Sequence, residues 1–290
     1  MRHLTGMFLY EKYKNVLTIK TIKMKTIFKI LAVVALISSF TQIKAQNTQE
    51  LTVPLSKPGE KGTLEVNIMN GDIQVTGTTV KDVNIKISSD QQKVEESSKN
   101  GLKRIPNSSF GLTAQEDNNT VSISSDFSNK NVKLEIQVPV NFNLRLKAID
   151  NGDISVQNVN GEIEVNHVNG GISLVDVSGS VVANTTNGDV KANLTKVTEN
   201  TPMSFTTFNG NVDVTLPASV KASVKMKSDM GELFTDFDMA MKKSTPKQEN
   251  KIEDGVYRVS IDKWITGDIN GGGPEMTFKN FQGDIIIRKK

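Results

Sequence analysis

Apolar and polar residues alternate along this chain in short runs separated by glycine, most regularly between residues 151 and 190. Glycine recurs there at every ninth position: Gly152, Gly161, Gly170, Gly179 and Gly188. The apolar positions between glycines follow one scheme, as in Ile154-x-Val156-x-x-Val159. Side chains two positions apart lie on one face of a strand, and Asn-Gly pairs suit tight corners. Each unit therefore predicts a short β-strand followed by a corner.

Two architectures fit such units, a meander of β-hairpins with Asn-Gly turns and a β-solenoid that always turns the same way. The Asn-Gly corners that begin at residues 151, 169, 187 and 209 are 18, 18 and 22 residues apart. Between them lie the corners at Gly161 and Gly179, whose sequences are "VNG" and "VSG". Two corner types that alternate indicate a coil of two strands and two corners. The spacing favours an all-β fold, a β-solenoid of about 18–22 residues per coil.

A solenoid of this period stacks like residues on like residues inside the molecule. The predicted interior columns are Ile154, Ile172, Val190 and Val212; Val156, Leu174, Ala192 and Val214; and Ile163 over Val181. Outside the core, Asp153, Gly171, Asp189 and Asn211 form one column, and Ser155, Ser173, Lys191 and Asp213 form another. A hairpin meander gives no reason for this alignment at every second unit.

The corners are the positions to which the sequence assigns a specific structural role. The predicted corner residues are Asn151, Gly152, Gly161, Asn169, Gly170, Gly179, Asn187, Gly188, Asn209 and Gly210. Glycine tolerates the positive φ that a corner requires. An asparagine amide both donates and accepts, so the four asparagines are expected to stack and hydrogen-bond from coil to coil.

The remaining chain divides into three parts. Residues 1–45 are an upstream extension plus signal peptide, 46–148 an N-terminal region of less regular strands, and 149–290 the solenoid repeats with a surface loop near 238–255. Residues 216–237 are expected to continue the coils. The last strand, within 283–290, is expected to form an exposed end of the solenoid, where Arg288, Lys289 and Lys290 would protect the sheet edge.

The signal peptide is predicted from "MKTIFKILAVVALISSFTQIKAQ", which begins at Met24. Lys25 and Lys29 supply the basic start, and the apolar run that follows is too short for a permanent span, although an uncleaved anchor is the competing interpretation. We therefore expect an exported protein, in the periplasm, on the outer membrane surface or secreted, with no transmembrane span after cleavage.

Export changes the charge of the chain. Of its 35 Lys and Arg and 32 Asp and Glu residues, eight basic and one acidic lie in residues 1–45, which leaves 27 basic and 31 acidic residues. The remainder has a net charge of about −4 and lacks the excess of basic residues that nucleic-acid binding requires. The chain has no cysteine, which excludes disulfides, thiolate catalysis and cysteine-ligated metal.

The strongest candidate for catalysis is a pair of glutamates. Glu162 and Glu164 are two apart on one predicted strand and would point outward together, about 6.7 Å apart by strand rise. This separation falls near the lower end of that found in inverting glycoside hydrolases, which suggests a polysaccharide-acting β-helix enzyme as an alternative. A solvated strand face explains the pair more simply, because no third acid or base lies in the neighbouring coil. His167 is interpreted as an exposed corner residue.

Cofactors are not expected. Asp153 and Asp189 are hard oxygen donors of the kind that bind calcium, but Gly171 interrupts their column and the GGxGxD calcium repeat is absent. Four aromatic residues near the C-terminus offer either a ligand platform or core and end packing, and packing is favoured. They are Tyr257, Trp264, Phe278 and Phe281.

The segment "LEIQVPVNFNLRLKAIDNGDISV" (134–156), the alternating "VNG" and "NGD" corners and the closing "GDIIIRKK" resemble the bacterial putative-adhesin family of β-strand repeats. The resemblance covers roughly residues 50–290. It implies an exported domain of unknown function with a right-handed, β-helix-like solenoid and no established catalytic residues.

The sequence thus predicts an exported, non-enzymatic, adhesin-like scaffold. It would present an extended β-face to an unidentified envelope or extracellular partner, protein or glycan. The alternatives are the polysaccharide-acting enzyme and a purely structural cell-envelope protein.

Overall fold

The structure is a computed structural model that describes residues 47–89, 98–99, 102–103, 111–125, 131–242, 247–253, 256–262 and 264–290. The described residues form β-strands and no helix, so none of them forms a helix that could cross a membrane. Gln46–Lys290 is one compact unit. The predicted upstream extension and signal peptide, residues 1–45, and most of the polar segment 90–109 lie outside the described residues.

The strands are short and follow the sequence pattern. The first eight are β1 (Asn47–Val53), β2 (Gly62–Thr78), β3 (Val83–Ser89), β4 (Ser98–Lys99), β5 (Leu102–Lys103), β6 (Leu112–Asp117), β7 (Thr120–Ser125) and β8 (Val132–Pro139). The next eight are β9 (Phe142–Asp150), β10 (Ile154–Gln157), β11 (Asn160–His167), β12 (Ile172–Asn184), β13 (Val190–Val197), β14 (Met203–Thr206), β15 (Val212–Leu216) and β16 (Ala222–Ser228). The last seven are β17 (Leu233–Thr235), β18 (Met239–Lys242), β19 (Lys247–Glu253), β20 (Val256–Asp262), β21 (Ile265–Ile269), β22 (Glu275–Asn280) and β23 (Ile285–Lys289).

Most strands belong to two ladders. We call the first ladder the series β6–β7–β2–β9–β11–β12–β14–β22–β16–β21–β18. The second ladder is the series β1–β3–β8–β2–β10–β12–β13–β15–β23–β17. Pairing is parallel in the middle of both ladders. Antiparallel strands are added at both ends of the first ladder and at the start of the second.

Strands β2 and β12 are long enough to enter both ladders. The first half of β2 pairs with β7 and β9, and its second half pairs with β8 and β10. The change occurs at Asn70–Gly71, where the chain turns a corner within β2 and Gly71 adopts a φ of 125°. Because β2 pairs with both β9 and β10, the two ladders continue across residue 148, where the repeats were predicted to begin.

The predicted interior columns are confirmed. Ile154 pairs with Ile172 and Ile73, and the alignment continues through Val190 and Val212. The second and third columns are likewise in register. All of these side chains are at most 4% exposed. Parallel pairing at an offset of 18 residues excludes the hairpin meander for this part of the chain.

The expected order of the coils is wrong at the C-terminal end. Strands β22 and β23 lie inside the ladders: β22 pairs with β14 and β16, and β23 pairs with β15 and β17. Residues 216–237 therefore do not stack directly on the coil of β14 and β15. The last strand is not an exposed edge, and Arg288 instead forms an ion pair with Asp213, 2.8 Å from Nε to Oδ1.

The surface loop predicted near 238–255 contains strands. Strand β18 pairs antiparallel with β21, and β19 pairs antiparallel with β20. The alternation of apolar residues is weak there, which is why the sequence suggested an irregular loop. The side chains of β18 are largely exposed.

Candidate binding surface

The Asn-Gly corners form a column of closely packed glycines. Gly71, Gly152, Gly170, Gly188, Gly210, Gly283 and Gly231 lie one above another. A Cβ on Gly188 would lie 2.3 Å from the carbonyl oxygen of Gly170, and one on Gly210 would lie 2.2 Å from that of Gly188. Because backbone approaches backbone here, any side chain would have to displace the neighbouring coil. Close approach therefore explains the glycines at 152, 170 and 188. It also explains those at 161 and 179 in the other column of corners, where a Cβ on Gly179 would lie 1.9 Å from the carbonyl oxygen of Gly161.

The predicted asparagine ladder is present with one correction. Asn187 donates from Nδ2 to Oδ1 of Asn169 at 2.7 Å, and Asn209 donates to Asn187 at 2.8 Å. Asn151 is not in this column, because Asn169 donates instead to Asp150 Oδ1 at 2.6 Å. Asn151 adopts a φ of 53° and donates to Asn70 at 3.2 Å. Its left-handed backbone accommodates one extra residue between the ladder position and Ile154.

A column of side-chain oxygens runs beside the asparagine ladder. It is the outward column predicted from Asp153, Gly171, Asp189 and Asn211. Each carboxylate or amide oxygen accepts a backbone N–H from the next coil: Asp72 from Asp153, Asp153 from Gly171, Asp189 from Asn211, Asn211 from Asp284, and Asp284 from Glu232, at 2.7–2.9 Å. Glycine at 171 has no side chain with which to continue the series. These carboxylates bind backbone amides, and the described residues contain no group of three or more metal-binding side chains.

Completing this column of side-chain oxygens is expected to stabilise the protein. Gly171 has a negative φ, and a Cβ there would make only ordinary contacts of 3.4 Å or more. In Gly171→Asn the amide oxygen can accept the N–H of residue 189, as Asp153 accepts that of residue 171. We expect the free energy of unfolding to rise by about 1–2 kcal/mol, from the hydrogen bond and from the lost flexibility of glycine. Urea unfolding measures it.

Gly171→Ala is the matched control, because it removes the flexibility of glycine without supplying an acceptor. We expect Asn to exceed Ala by about 1 kcal/mol. Equal stabilities would show that the column of side-chain oxygens contributes nothing. Asparagine is chosen over aspartate because Asp153 and Asp189 flank the position and like charges repel.

The interpretation of His167 as an exposed corner residue is wrong, since the side chain is only 5% exposed. Its Nε2 lies 2.7 Å from the carbonyl oxygen of Gly152, and its Nδ1 lies 3.1 Å from the carbonyl oxygen of Ala148 and 2.9 Å from the backbone nitrogen of Val168. In successive coils the carbonyl oxygen of the corner glycine accepts a hydrogen bond in the same way, at Gly170 from Thr185, at Gly188 from Thr207 and at Gly210 from Asn280. The sequence could have shown this, since each of these residues lies three positions before the glycine of its own corner, which is Gly170, Gly188, Gly210 or Gly283.

The two glutamates predicted as a candidate catalytic pair lie exposed on the outward face of β11. Arg145, on the adjacent strand β9, pairs with Glu65 at 2.7 Å. The pKa of Arg145 is raised, chiefly by the hydrogen bond and charge of Glu65 and less by Glu164 and Glu162. Glu164 also accepts the side-chain N–H of Asn166 at 3.0 Å. Both glutamates therefore belong to a face of alternating charges and amides.

The C-terminal aromatic residues separate into buried and exposed positions. Phe278 is fully buried and stacks on Phe205 with ring centroids 5.4 Å apart, whereas Phe281 is 38% exposed and stacks on Phe208 at 4.8 Å. Trp264 receives the ammonium of Lys225, 4.5 Å from the ring centroid. The side chain of Tyr257 lies outside the described residues. The packing interpretation thus holds for Phe278.

One concave surface is not revealed by the sequence. We call it the polar groove, a depression of about 700 Å³ on the outer face of β1, β3, β8 and β2 in the second ladder. Its outward side chains are Glu50, Thr52, Gln74, Thr76, Asn84, Lys86, Glu135 and Gln137. The alternating polar residues of each strand are visible in the sequence. Their convergence depends on the antiparallel register of β1, β3 and β8, which the sequence does not display.

The charges in the polar groove neutralise one another. Lys86 contacts Glu135 at 2.7 Å and Lys133 contacts it at 2.9 Å. Hydrogen bonds from Lys86 and then Lys133 lower the pKa of Glu135, and the hydrogen bond to Glu135 raises the pKa of Lys86. Apart from Glu50, the other outward side chains are hydroxyls and amides, and Thr52 donates to Asn84 at 2.9 Å. This groove can offer hydrogen-bond donors and acceptors with little net charge.

The ion pairs predict a pH dependence. Because the pKa of Glu135 is lower in the folded chain than its ordinary 4.5, the pairs stabilise the fold fully above that value. The contribution is lost as the pH falls through the lowered pKa. We expect Glu135→Gln to flatten the decline in unfolding free energy between about pH 5 and pH 3, measured by urea unfolding. An unchanged slope in that variant would contradict the assignment.

Comparison with known proteins gives a family. The sequence profile of the family described as Toastrack DUF4097 matches residues 10–270. No curated protein matches the chain. Similar solved structures are a putative cell adhesion protein from Clostridium sporogenes (13% identity, 84% of this chain and 100% of that chain covered, TM-score 0.42) and a putative adhesin from Bacteroides fragilis (13%, 85% and 98%, 0.36). A putative adhesin from Parabacteroides merdae is 8% identical, with 86% and 97% covered and a TM-score of 0.25. The resemblance drawn from the repeats is thereby confirmed, and the chain belongs to the Toastrack DUF4097 family.

Proposed function

We propose that the chain is an exported, non-enzymatic scaffold whose stacked coils form a β-solenoid and whose polar groove binds an envelope or extracellular partner. The observation that carries this proposal is the polar groove itself. Four adjacent strands present Thr52, Asn84, Gln137 and Thr76 in one row, in register across the second ladder. Rows of amides and hydroxyls at strand spacing suit a ligand with repeated polar groups, such as a glycan or an extended peptide.

The ladders support the rigidity that such a surface needs. Inward side chains from both ladders form one continuous core, and the corner columns connect each coil to the next. A groove built on paired strands is preorganised, so binding costs little ordering of the protein. A binding role also requires no reactive group, which agrees with the pairing of Glu164 and Glu135 to amides and lysines.

The test is binding of residues 46–290 to arrays of envelope glycans and to envelope extracts. We expect Asn84→Ala combined with Gln137→Ala to weaken binding by about tenfold or more, since two hydrogen-bonding amides are lost. Asn166→Ala combined with Asn184→Ala is the matched control. It removes two outward amides from the first ladder, away from the groove, and should leave affinity unchanged.

Two outcomes would contradict the proposal. Binding that is lost equally in both pairs of variants would place the contact outside the groove. The second outcome is enzymatic activity. If the unmodified chain releases sugar from a glycan and the Glu162→Gln and Glu164→Gln variants do not, the chain is a polysaccharide-acting enzyme instead.

A further inference from the structure

The C-terminal coil occupies a place in the stack that does not follow chain order. Strands β22 and β23 come last in the sequence but lie between the coil of β14–β15 and the coil of β16–β17. Both neighbours come earlier in the chain, β14–β15 by about 70 residues and β16–β17 by about 50. Folding therefore has to insert this coil into a slot between two coils or form the outer coil after it.

The slot holds the coil with the same contacts that join the other coils. Met276, Phe278, Ile285 and Ile287 enter the core and are at most 1% exposed. Asn280 donates to the Gly210 carbonyl at 3.1 Å. Every one of these contacts belongs to residues 275–289 and their two neighbouring coils. None depends on which connection brings the coil there.

The connection to this coil is short and rich in glycine, and Asn270 anchors its start by donating to the carbonyl oxygens of Ala218 and Val220 at 3.0 and 2.8 Å. Strand β21 remains bound to β16 and β18, and β22 begins only five residues after β21 ends, following Asn270-Gly271-Gly272-Gly273-Pro274. Asn270, Gly271 and Gly272 have positive φ values of 49°, 85° and 85°. Three successive glycines have easy access to other backbone conformations, and a few such residues suffice to redirect a segment.

We propose that the chain self-associates by exchanging this coil: residues 275–289 of one copy fill the slot between β14–β15 and β16–β17 of a second copy. The exchanged coil recovers each contact it makes in the monomer, which makes exchange a low-cost route to dimers. The second copy is thus a partner that the fold itself specifies, and the proposal stands independently of the polar groove.

Disulfide trapping between two full-length chains tests the exchange, because the chain has no cysteine of its own. Ser204 on β14 pairs with Thr277 on β22. Neighbouring strand positions about 4.8 Å apart lie within the Cα range of a disulfide. One chain carries Ser204→Cys and the other Thr277→Cys. They are mixed, partially unfolded in urea, refolded together at high concentration and oxidised. We expect a covalent heterodimer, with the joined peptides identified by mass spectrometry.

The control mixture pairs Thr277→Cys with Ser124→Cys, which lies on β7 at the other end of the first ladder. We expect the first mixture to give at least about fivefold more heterodimer than this control, because only exchange places the two thiols side by side. Equal yields would overturn the proposal. In the double variant Ser204→Cys with Thr277→Cys, oxidation of the diluted chain should form the internal disulfide, and this locked chain should stay monomeric in size-exclusion chromatography after the same treatment in urea at high concentration. A dimer that persists after this locking would equally overturn the proposal.

Discussion

Gly170→Ala is expected to lower the free energy of unfolding by more than about 3 kcal/mol, or to prevent folding. A Cβ at this position would lie 1.9 Å from the Gly152 carbonyl oxygen and 2.4 Å from His167 Nε2. Neither neighbour can yield easily, because the first is backbone in the adjacent coil and the second is a buried side chain hydrogen-bonded to that carbonyl. The strain would therefore spread into both coils. Urea or thermal unfolding measures the loss.

The adjacent glycine is an internal control for this prediction. Gly171→Ala changes the same corner by the same methyl group, but its Cβ makes only ordinary contacts. We expect it to be neutral or to stabilise the fold by up to about 1 kcal/mol. A similar effect of both substitutions would show that the column of Gly152, Gly170 and Gly188 is not closely packed, and close approach would then not explain why glycine recurs there.

Much of the corner architecture could be predicted from local sequence. Glycine and asparagine at a fixed period indicate that the backbones of neighbouring coils approach closely at each corner. The alternation of apolar residues indicates which side chains enter the core. Both inferences concern relations between neighbouring coils. They succeed wherever adjacent coils are also adjacent in the sequence, as for Ile154 and Ile172.

The sequence could not place coils that are out of order. "FQGDI" (281–285) repeats the form of "FNGNV" (208–212), so the compatibility of these coils was visible. Compatibility does not state which coil lies next to which, because every corner of this type fits every other. The position of β22 and β23 is decided by long-range pairing with β14 to β17, which no local pattern records.

Smaller errors have equally specific causes. Asn151 resembles the other corner asparagines, but one extra residue between Asp150 and Ile154 moves Asp150 into the ladder instead. The polar groove was missed for a related reason. Its strands were recognised, yet the antiparallel pairing that brings Asn84 next to Gln137 comes from residues 53 positions apart.

Phe278→Ala is expected to destabilise the fold by about 3–5 kcal/mol, the cost typical of removing a buried phenylalanine. The side chain is fully buried and stacks on Phe205, at an interplanar angle of 13°. These two rings join the last coil to the coil of β14, which precedes it by about 70 residues. The loss therefore measures how strongly the C-terminal coil is held in its slot. Chemical unfolding followed by Trp264 fluorescence and by circular dichroism measures it.

Phe281→Ala provides the comparison, because Phe281 lies three positions away in the same coil and also stacks on a phenylalanine, Phe208. Phe281 is 38% exposed, and Phe208 is 51% exposed, so its removal leaves no closed cavity. We expect a cost of about 1 kcal/mol from the lost ring contact. If the two substitutions cost the same, Phe278 does not enter a packed core. The C-terminal coil would then lie outside the stack, because a coil held between two others must bury its inward ring and expose its corner ring.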